Sequence, residues 1–424
     1  MAQTIRHFLP GLAGLLRQLP DPRREGQWYY PKETLVWSGM AIFLLALKSR
    51  RQFRLEYSGP AFAANLNALA RSRVESPPHD DTIVHYLKMV EPKHFESLPV
   101  YIVRRLIRMK ALDRWRVWGA FLVAVDGTGQ LFFRQRHCPH CLSQRGSDGR
   151  LLYFHHVLEA KLVTAGGLVF SIATEFIENP QPNAKKQDCE LNAFPRLAAK
   201  LKANFPRLPI ILLGDSLYAC KRVFHLCKKY HWHYIFTFKR KRLPALFAEF
   251  ESLRNLTPRN RLTRRDGNVV QNFAWVNDLL YEGHTLSAFE CREEQPKGKR
   301  YFAWISDIPM GCRSVVTGSN QGGRLRWKLE NEGFNNQKNQ GYELKHAYCS
   351  HPWVVKTFYY LLQAVHAIHQ LMTKGSLLRP FHKLLGSFRN FLRQLARSFA
   401  HFVVAPHHWD LNAAHAIQIR LDTS

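Results

Sequence analysis

With 424 residues, 46% of them hydrophobic and 12% aromatic, the chain can bury sizeable cores and is too long for one ordinary domain. It carries 61 Lys and Arg against 32 Asp and Glu, a formal charge of +29, so the expected partner is a polyanion: nucleic acid or an anionic membrane surface. The most apolar stretch, Thr34 to Leu47, falls short of the ~20 residues that span a bilayer, which sets the membrane aside. Eight scattered cysteines are few for a disulfide framework, and the expectation is a cytoplasmic protein with reduced thiols.

Residues 1–115 read as helical, with apolar positions at helical spacing in Ile5–Leu19, Thr34–Leu47 and Phe95–Leu112. Their basic residues, among them Arg23, Arg24, Lys48, Arg50, Arg51 and Arg54, suit either a DNA-binding face or a solvated surface. The pattern then changes. Phe121–Val125 is a short apolar run, the form of a strand buried on both faces. Tyr153–Thr164 and Gly167–Glu175 alternate about Ala165-Gly166-Gly167 and predict a hairpin. A helix over Leu191–Phe205, an apolar strand over Pro209–Leu213, a helix over Ala219–Tyr230 and a strand over Trp232–Phe238 follow. This succession predicts a mixed α/β sheet with helices on its faces over 116–238. Strand-like Val269–Trp275, Thr285–Glu290 and Tyr301–Ile305 predict a β-rich subdomain inserted over 239–310. Helical character returns over 311–372 and continues into a helical C-terminal region, 373–424.

Asp126 and Asp215 each follow an apolar run (FLVAV, IILLG) and precede small or polar residues, Gly127-Thr128 and Ser216. A carboxylate at the C-terminal end of a central strand points into the crevice where α/β sheets place their sites. A single Asp there is commonly a turn cap. Two on adjacent parallel strands lie side by side and repel unless a cation neutralises them. Oxygen ligands in a basic protein suit Mg²⁺ or Mn²⁺. A third carboxylate would complete a two-metal site. In Arg326-Trp-Lys-Leu-Glu330 the Arg and Glu share a helix face, either as site residues or as a surface ion pair of little worth. Glu332 is the rival third carboxylate, and Asp188 and Glu190 read as the start of a helix.

Asp126-Gly127-Thr128, then Asp215-x-x-Tyr218, then Arg326-Trp-x-Leu-Glu330 resemble, in type and order, the DDE transposases of bacterial insertion sequences. The likeness is greatest to the cut-and-paste group with a β-domain inserted before the final Glu, and it covers residues 115–370. It implies an RNase H-like catalytic fold, with Asp126, Asp215 and Glu330 as catalytic residues and ligands of Mg²⁺ or Mn²⁺. It implies cleavage at transposon ends and strand transfer into target DNA by a homodimer on double-stranded DNA, in the cytoplasm and nucleoid of a bacterium, with residues 1–115 binding DNA. The group's last motif runs Tyr, two residues, Arg, three residues, Glu, six residues, Lys. Here the Tyr falls on Gly323 and the Lys on Gln337, with Lys338 one residue later. Arg326, Lys338 and Tyr218 are expected to engage phosphate, with packing as the other role for Tyr218. The run Lys239, Arg240, Lys241, Arg242 is expected to add phosphate contacts from the insertion. Two other functions fit the same residues: an RNase H-like nuclease that cuts without joining, and a catalytically silent, transposon-derived DNA-binding protein.

Cys138-Pro-His-Cys141 has the spacing of half a zinc site. No second Cys-x-x-Cys follows. His155 and His156, and the nearer His137 and His140, are the residues that could complete a structural Zn²⁺ site; the alternative is two unbonded thiols in a turn.

Overall fold

The computed structural model describes residues 1–136, 138–146, 148–181, 186–404 and 417–421. Ten strands among them form one sheet: β1 (Phe121–Phe133), β2 (Leu142–Arg145), β3 (Leu151–Val163), β4 (Val169–Ile177), β5 (Ile210–Gly214), β6 (His233–Thr237), β7 (Arg261–Asp266), β8 (Val269–Tyr281), β9 (His284–Gln295) and β10 (Gly298–Ser306). Their order is β2-β3-β1-β5-β6-β10-β9-β8-β7, with β4 also on β3. β1, β3 and β4 make an antiparallel meander, and β5 and β6 run parallel to β1 on its other side. This is the mixed α/β sheet expected of an RNase H-like core, with helices at both ends of the chain. The β-rich segment continues that sheet, because β10 pairs antiparallel with β6.

The fully apolar run Ile210–Leu213 is buried along its length, as a strand covered on both faces must be. Alternation along β3 and β4 assigns the two coverings. Glu159 accepts hydrogen bonds from Ser171 and Thr174 and lies with Lys161 on one face. That face is covered by the helical stretch 326–339 and the long helix Pro352–Lys374. Glu175 is on the other face, where Arg196 and Lys200 of helix Glu190–Asn204 reach it. Helix 352–374 is buried over most of its length and packs on helices Lys32–Leu44 and Lys93–Arg108, so the N-terminal helices share the core of the sheet. Each large apolar side chain buried there contributes about 1.5–3 kcal/mol.

The boundaries move in three places. The single helix expected over Ile5–Leu19 is two, Ala2–Phe8 and Leu12–Arg17, because Pro10 brings no N–H to a continuing helix. β1 does not end at Asp126 but runs on to Phe133, paired with β3 throughout. Arg261–Asp266, outside the strand-like stretches of the sequence, is the edge strand β7. Among the described residues no helix is long and apolar enough to cross a membrane. Of the expected C-terminal helical region, Arg379–Leu384 and Phe388–His401 are helices; 405–416 and 422–424 lie outside the described residues, as does His137.

Candidate active site

The β1–β5 ladder pairs Ala124 with Leu213. Two residues further along each strand, this register sets Asp126 beside Asp215 on the face covered by 326–339. β1 has lost β5 as a partner at that point and is held by β3 alone, with Asp126 opposite Glu159. Asp215 begins a turn, its Oδ1 accepting from the Leu217 N–H at 2.8 Å. Asp126 Oδ1 accepts from the Gly127 N–H at 2.9 Å, and its Oδ2 accepts from Arg326 Nη1 at 3.2 Å. Burial pushes the Asp126 carboxyl up to about 6; Arg326 opposes that shift, and the negative charges of Asp215 and Glu330 add to it. The three segments that carry the sequence motifs therefore meet at one end of the sheet.

Arg326 does not pair with Glu330, as the helical spacing allowed, but reaches across to Asp126, with 13% of its side chain exposed. Residues 326–328 are α-helical, Leu329–Asn335 form a π-helix, and Asn336–Asn339 return to α. Turns of π-helix recur at functional sites. Glu330 is half-buried and close enough to repel Asp126. Its rival Glu332 is turned away: its Oε1 accepts from Lys328 Nζ at 2.5 Å, beside Gly167 and Lys374. Gly323, in the place of the group's Tyr, is packed under Trp304; a Cβ there would lie 2.2 Å from the indole Nε1. Gln337, in the place of the group's Lys, is fully buried, bonded to Lys161, Gln363 and His366. Lys338 is half-exposed, and its charge, after burial, lowers the pKa of His156.

Sequence reasoning took Glu190 only as a helix start, and took His156 only as a possible companion of the cysteines. Both sit beside the acidic pair. Glu190 opens helix 190–204 and reaches the sheet from the face opposite Asp126, over Gly127. A Cβ on Gly127 would fall 2.3 Å from Glu190 Oε1 and 2.6 Å from His156 Nε2. His156 Nε2 is 3.5 Å from Glu190 Oε1 and has no hydrogen-bond partner among the described residues. Burial pushes the Glu190 carboxyl up to about 6; the Tyr218 hydroxyl opposes this, and Asp126 and Asp215 repel. Tyr218 is fully buried, and its hydroxyl donates to Glu190 Oε2 at 2.9 Å. This corrects the phosphate-binding expectation for Tyr218, which has no exposed surface to offer a phosphate and instead positions Glu190. The signal for Glu190 was available only as a glycine on β1 with no turn to make.

β6 runs parallel to β1 and β5, so Lys239, Arg240, Lys241 and Arg242, which follow it, emerge at the same end of the sheet as Asp215. All four are exposed. Arg240 is engaged by Glu251 and lies 5.1 Å over the Phe247 ring. In the N-terminal region, Arg23 and Arg50 are taken up internally, by Asp21 and by Asp80 with Asp81.

Burial first, and then the charges of Asp215 and Glu330, raise the Asp126 carboxyl, but Asp126, Asp215 and Glu330 are not among the described groups of three side chains whose ligand atoms all lie within 4.8 Å of one another. No family model and no curated protein matches the chain. Among solved structures six chains match. One is the cryo-EM structure of a piggyBac transposase synaptic complex with hairpin DNA, at 12% identity and a TM-score of 0.40, covering 94% of this chain and 79% of that one.

Proposed function

We propose that this protein is a DNA transposase that cleaves DNA at transposon ends and transfers the freed strand into target DNA, with Asp126, Asp215 and Glu330 as its catalytic carboxylates. The observation that carries the reading is the parallel register of β1 and β5, which sets Asp126 beside Asp215, with Arg326 of the Glu330 segment bonded to Asp126. Mg²⁺ or Mn²⁺ held by the three carboxylates would supply activation of the attacking oxygen and stabilisation of the leaving one.

The chain's own residues do the rest. Arg326 neutralises Asp126 and offers the planar fork suited to a phosphate. Lys338 and the exposed Lys239, Lys241 and Arg242 hold the DNA backbone beside the carboxylates, contacts that give affinity without sequence choice. The +29 charge draws double-stranded DNA from a distance. In this reading 1–115 is a DNA-binding region, 116–238 and 311–372 are the catalytic core about the insertion 239–310, and 373–424 is a helical C-terminal region. The working form is a homodimer on two DNA ends, in the cytoplasm and nucleoid of a bacterium.

The test is a supercoiled plasmid carrying the element's ends, incubated with the protein and Mg²⁺. Joined products are expected, and Asp126→Asn, Asp215→Asn and Glu330→Gln should each abolish them while DNA binding persists. Glu332→Gln should be mild. Cutting without joining would leave a nuclease. Loss of activity in Glu332→Gln but not in Glu330→Gln would remove Glu330 from the site.

A further inference from the structure

The Cys138–Cys141 turn lies outside the acidic site and has its own geometry. Cys138 Sγ, Cys141 Sγ and His155 Nε2 form a triangle with all three sides 3.5 Å. Thiolate and imidazole ligands at about 2.0–2.3 Å, set tetrahedrally, stand about 3.4–3.8 Å apart. A disulfide would need the sulfurs at about 2.05 Å. We propose that Cys138, Cys141 and His155 bind one structural Zn²⁺, filling three corners of a tetrahedron, with a light donor atom at the fourth.

Three features support a built site. The turn is held before any ion enters: the Cys141 N–H donates to Cys138 O at 3.4 Å, and Asn179 Nδ2 donates to Cys141 O at 2.9 Å. His155 is backed by a carboxylate, its Nδ1 lying 4.0 Å from Glu178 Oε1, and Lys356 Nζ holds the other Glu178 oxygen at 2.6 Å. At that separation the carboxylate makes no hydrogen bond, but its negative charge behind the imidazole favours a cation there. Strand alternation separates the neighbours: His155 turns to the thiols and His156, on the opposite face of β3, to Glu190. Of the described histidines the motif offered, His140, His155 and His156, His155 is the one placed on both sulfurs, and His140 bonds the Asn179 carbonyl at 2.9 Å.

The site lies four residues along β3 from Glu159, the partner of Asp126, or roughly 13 Å away. It is therefore not part of the acidic centre. Its place explains what it does. It ties the far end of β1 and the start of β2 to β3. Asn179 carries the tie onward: it accepts the Asp188 N–H at 3.2 Å, two residues before Glu190, while Gln187 takes the Ser143 N–H at 2.6 Å. The ion clamps the protruding β1–β3 hairpin to the segment leading into Glu190.

The inference needs no DNA and no cleavage assay, so its failure is separate from failure of the transposase reading. The full-length protein, purified under reducing conditions without added metal, should contain about one zinc per chain by elemental analysis. Cobalt replacing it should show thiolate charge-transfer bands and the intense visible bands of a tetrahedral site. Cys138→Ser with Cys141→Ser should remove the metal, His155→Gln should weaken it, and Cys312→Ser, at an exposed thiol, should leave it in place. Stripping zinc with a chelator should lower the thermal midpoint of the wild type and leave that of the double serine variant unmoved. Should the variants fail to fold, cobalt titration of the stripped wild type decides alone: a tetrahedral thiolate spectrum supports the site, and an octahedral one or none overturns it. Wild type without zinc that takes none up, zinc retained by the double variant, or a mass two hydrogens short from a Cys138–Cys141 bond would each overturn it as well.

Discussion

Gly127→Ala tests the placement of Glu190 and His156 directly. The added methyl would lie 2.3 Å from Glu190 Oε1, 2.6 Å from its Cδ and 2.6 Å from His156 Nε2, where ordinary contact begins at 3.4 Å. Glu190 must retreat by about 1 Å, and the Tyr218 hydroxyl bond, now 2.9 Å, cannot follow because Tyr218 is fully buried. Overpacking of this kind costs about 1–3 kcal/mol, and a buried hydroxyl left unpaired costs about 1–3 kcal/mol. Relaxation shares the two, so a loss of about 2–4 kcal/mol is expected. The assay is denaturant unfolding of wild type, Gly127→Ala, Glu190→Ala and the double variant. Removing the Glu190 carboxylate removes the collision with Glu190 and leaves the one with His156, so Gly127→Ala should cost about 1–2 kcal/mol less in the Glu190→Ala background. Additive costs in the cycle, or wild-type stability in Gly127→Ala, would refute the placement of Glu190 over Gly127.

Gly323→Tyr, which restores the residue type of the resembling group, should destabilise rather than improve the enzyme, because Trp304 occupies the space a Cβ needs; chemical unfolding reads the loss, about 1–3 kcal/mol or more. Arg326→Lys should keep the fold by circular dichroism and reduce strand cleavage roughly a hundredfold, since an ammonium cannot reproduce the planar fork; wild-type rates would leave Arg326 a mere counter-ion of Asp126. DNA affinity should fall by orders of magnitude over a few-fold rise in salt, and a flat dependence would contradict a DNA role for the +29 charge. Buried His369 donates from Nε2 to Leu44 O and accepts the Tyr342 hydroxyl at Nδ1, and burial holds its pKa down to about 3. Its folded pKa lies below the unfolded value near 6.5. The contribution is therefore complete above that pH and is lost as pH falls toward about 3, by up to about 5 kcal/mol. The thermal midpoint should drop between about pH 7 and about pH 4, and less steeply in His369→Gln, whose amide keeps both hydrogen bonds.

How far the fold could be read from the chain depended on burial. Val123, Ala124, Leu212 and Leu213 are buried to 1% exposure or less, and runs covered on both faces declare themselves by lacking any polar position. β7 lacks that signal: along Arg261–Asp266 no residue is buried, so no alternation marked it. The first half of β1 was legible and the second was not. Gly127-Thr128-Gly129 has turn composition, yet here Gly127 sits in a strand because Glu190 and His156 fill the space over it. A glycine kept for the approach of another side chain looks the same in a sequence as one kept for a turn. Glu190 was hidden for the same reason, since its address is set by helix packing on the far face of the sheet and by no local spacing.

The offset between Glu330 and Lys338 shows spacing and geometry parting company. In an α-helix, residues seven apart return nearly to the same face, and an eighth residue carries the side chain further round. The resembling group's spacing would put its Lys at 337, yet Gln337 points inward to Lys161, Gln363 and His366. The π-wound Leu329–Asn335 accounts for this, because a π turn takes up one more residue than an α turn. Lys338, next to Gln337, is half-exposed and lies over the Phe334 ring, and its charge acts on His156. No composition signals a π turn, so the sequence could register the extra residue only as a departure. Gly318–Gly322, the second π-wound stretch, stands just before Gly323, the other departure. Both irregularities of the motif thus coincide with local rewinding of one helical segment, the segment that must deliver Arg326 to Asp126 and Glu330 to the acidic pair.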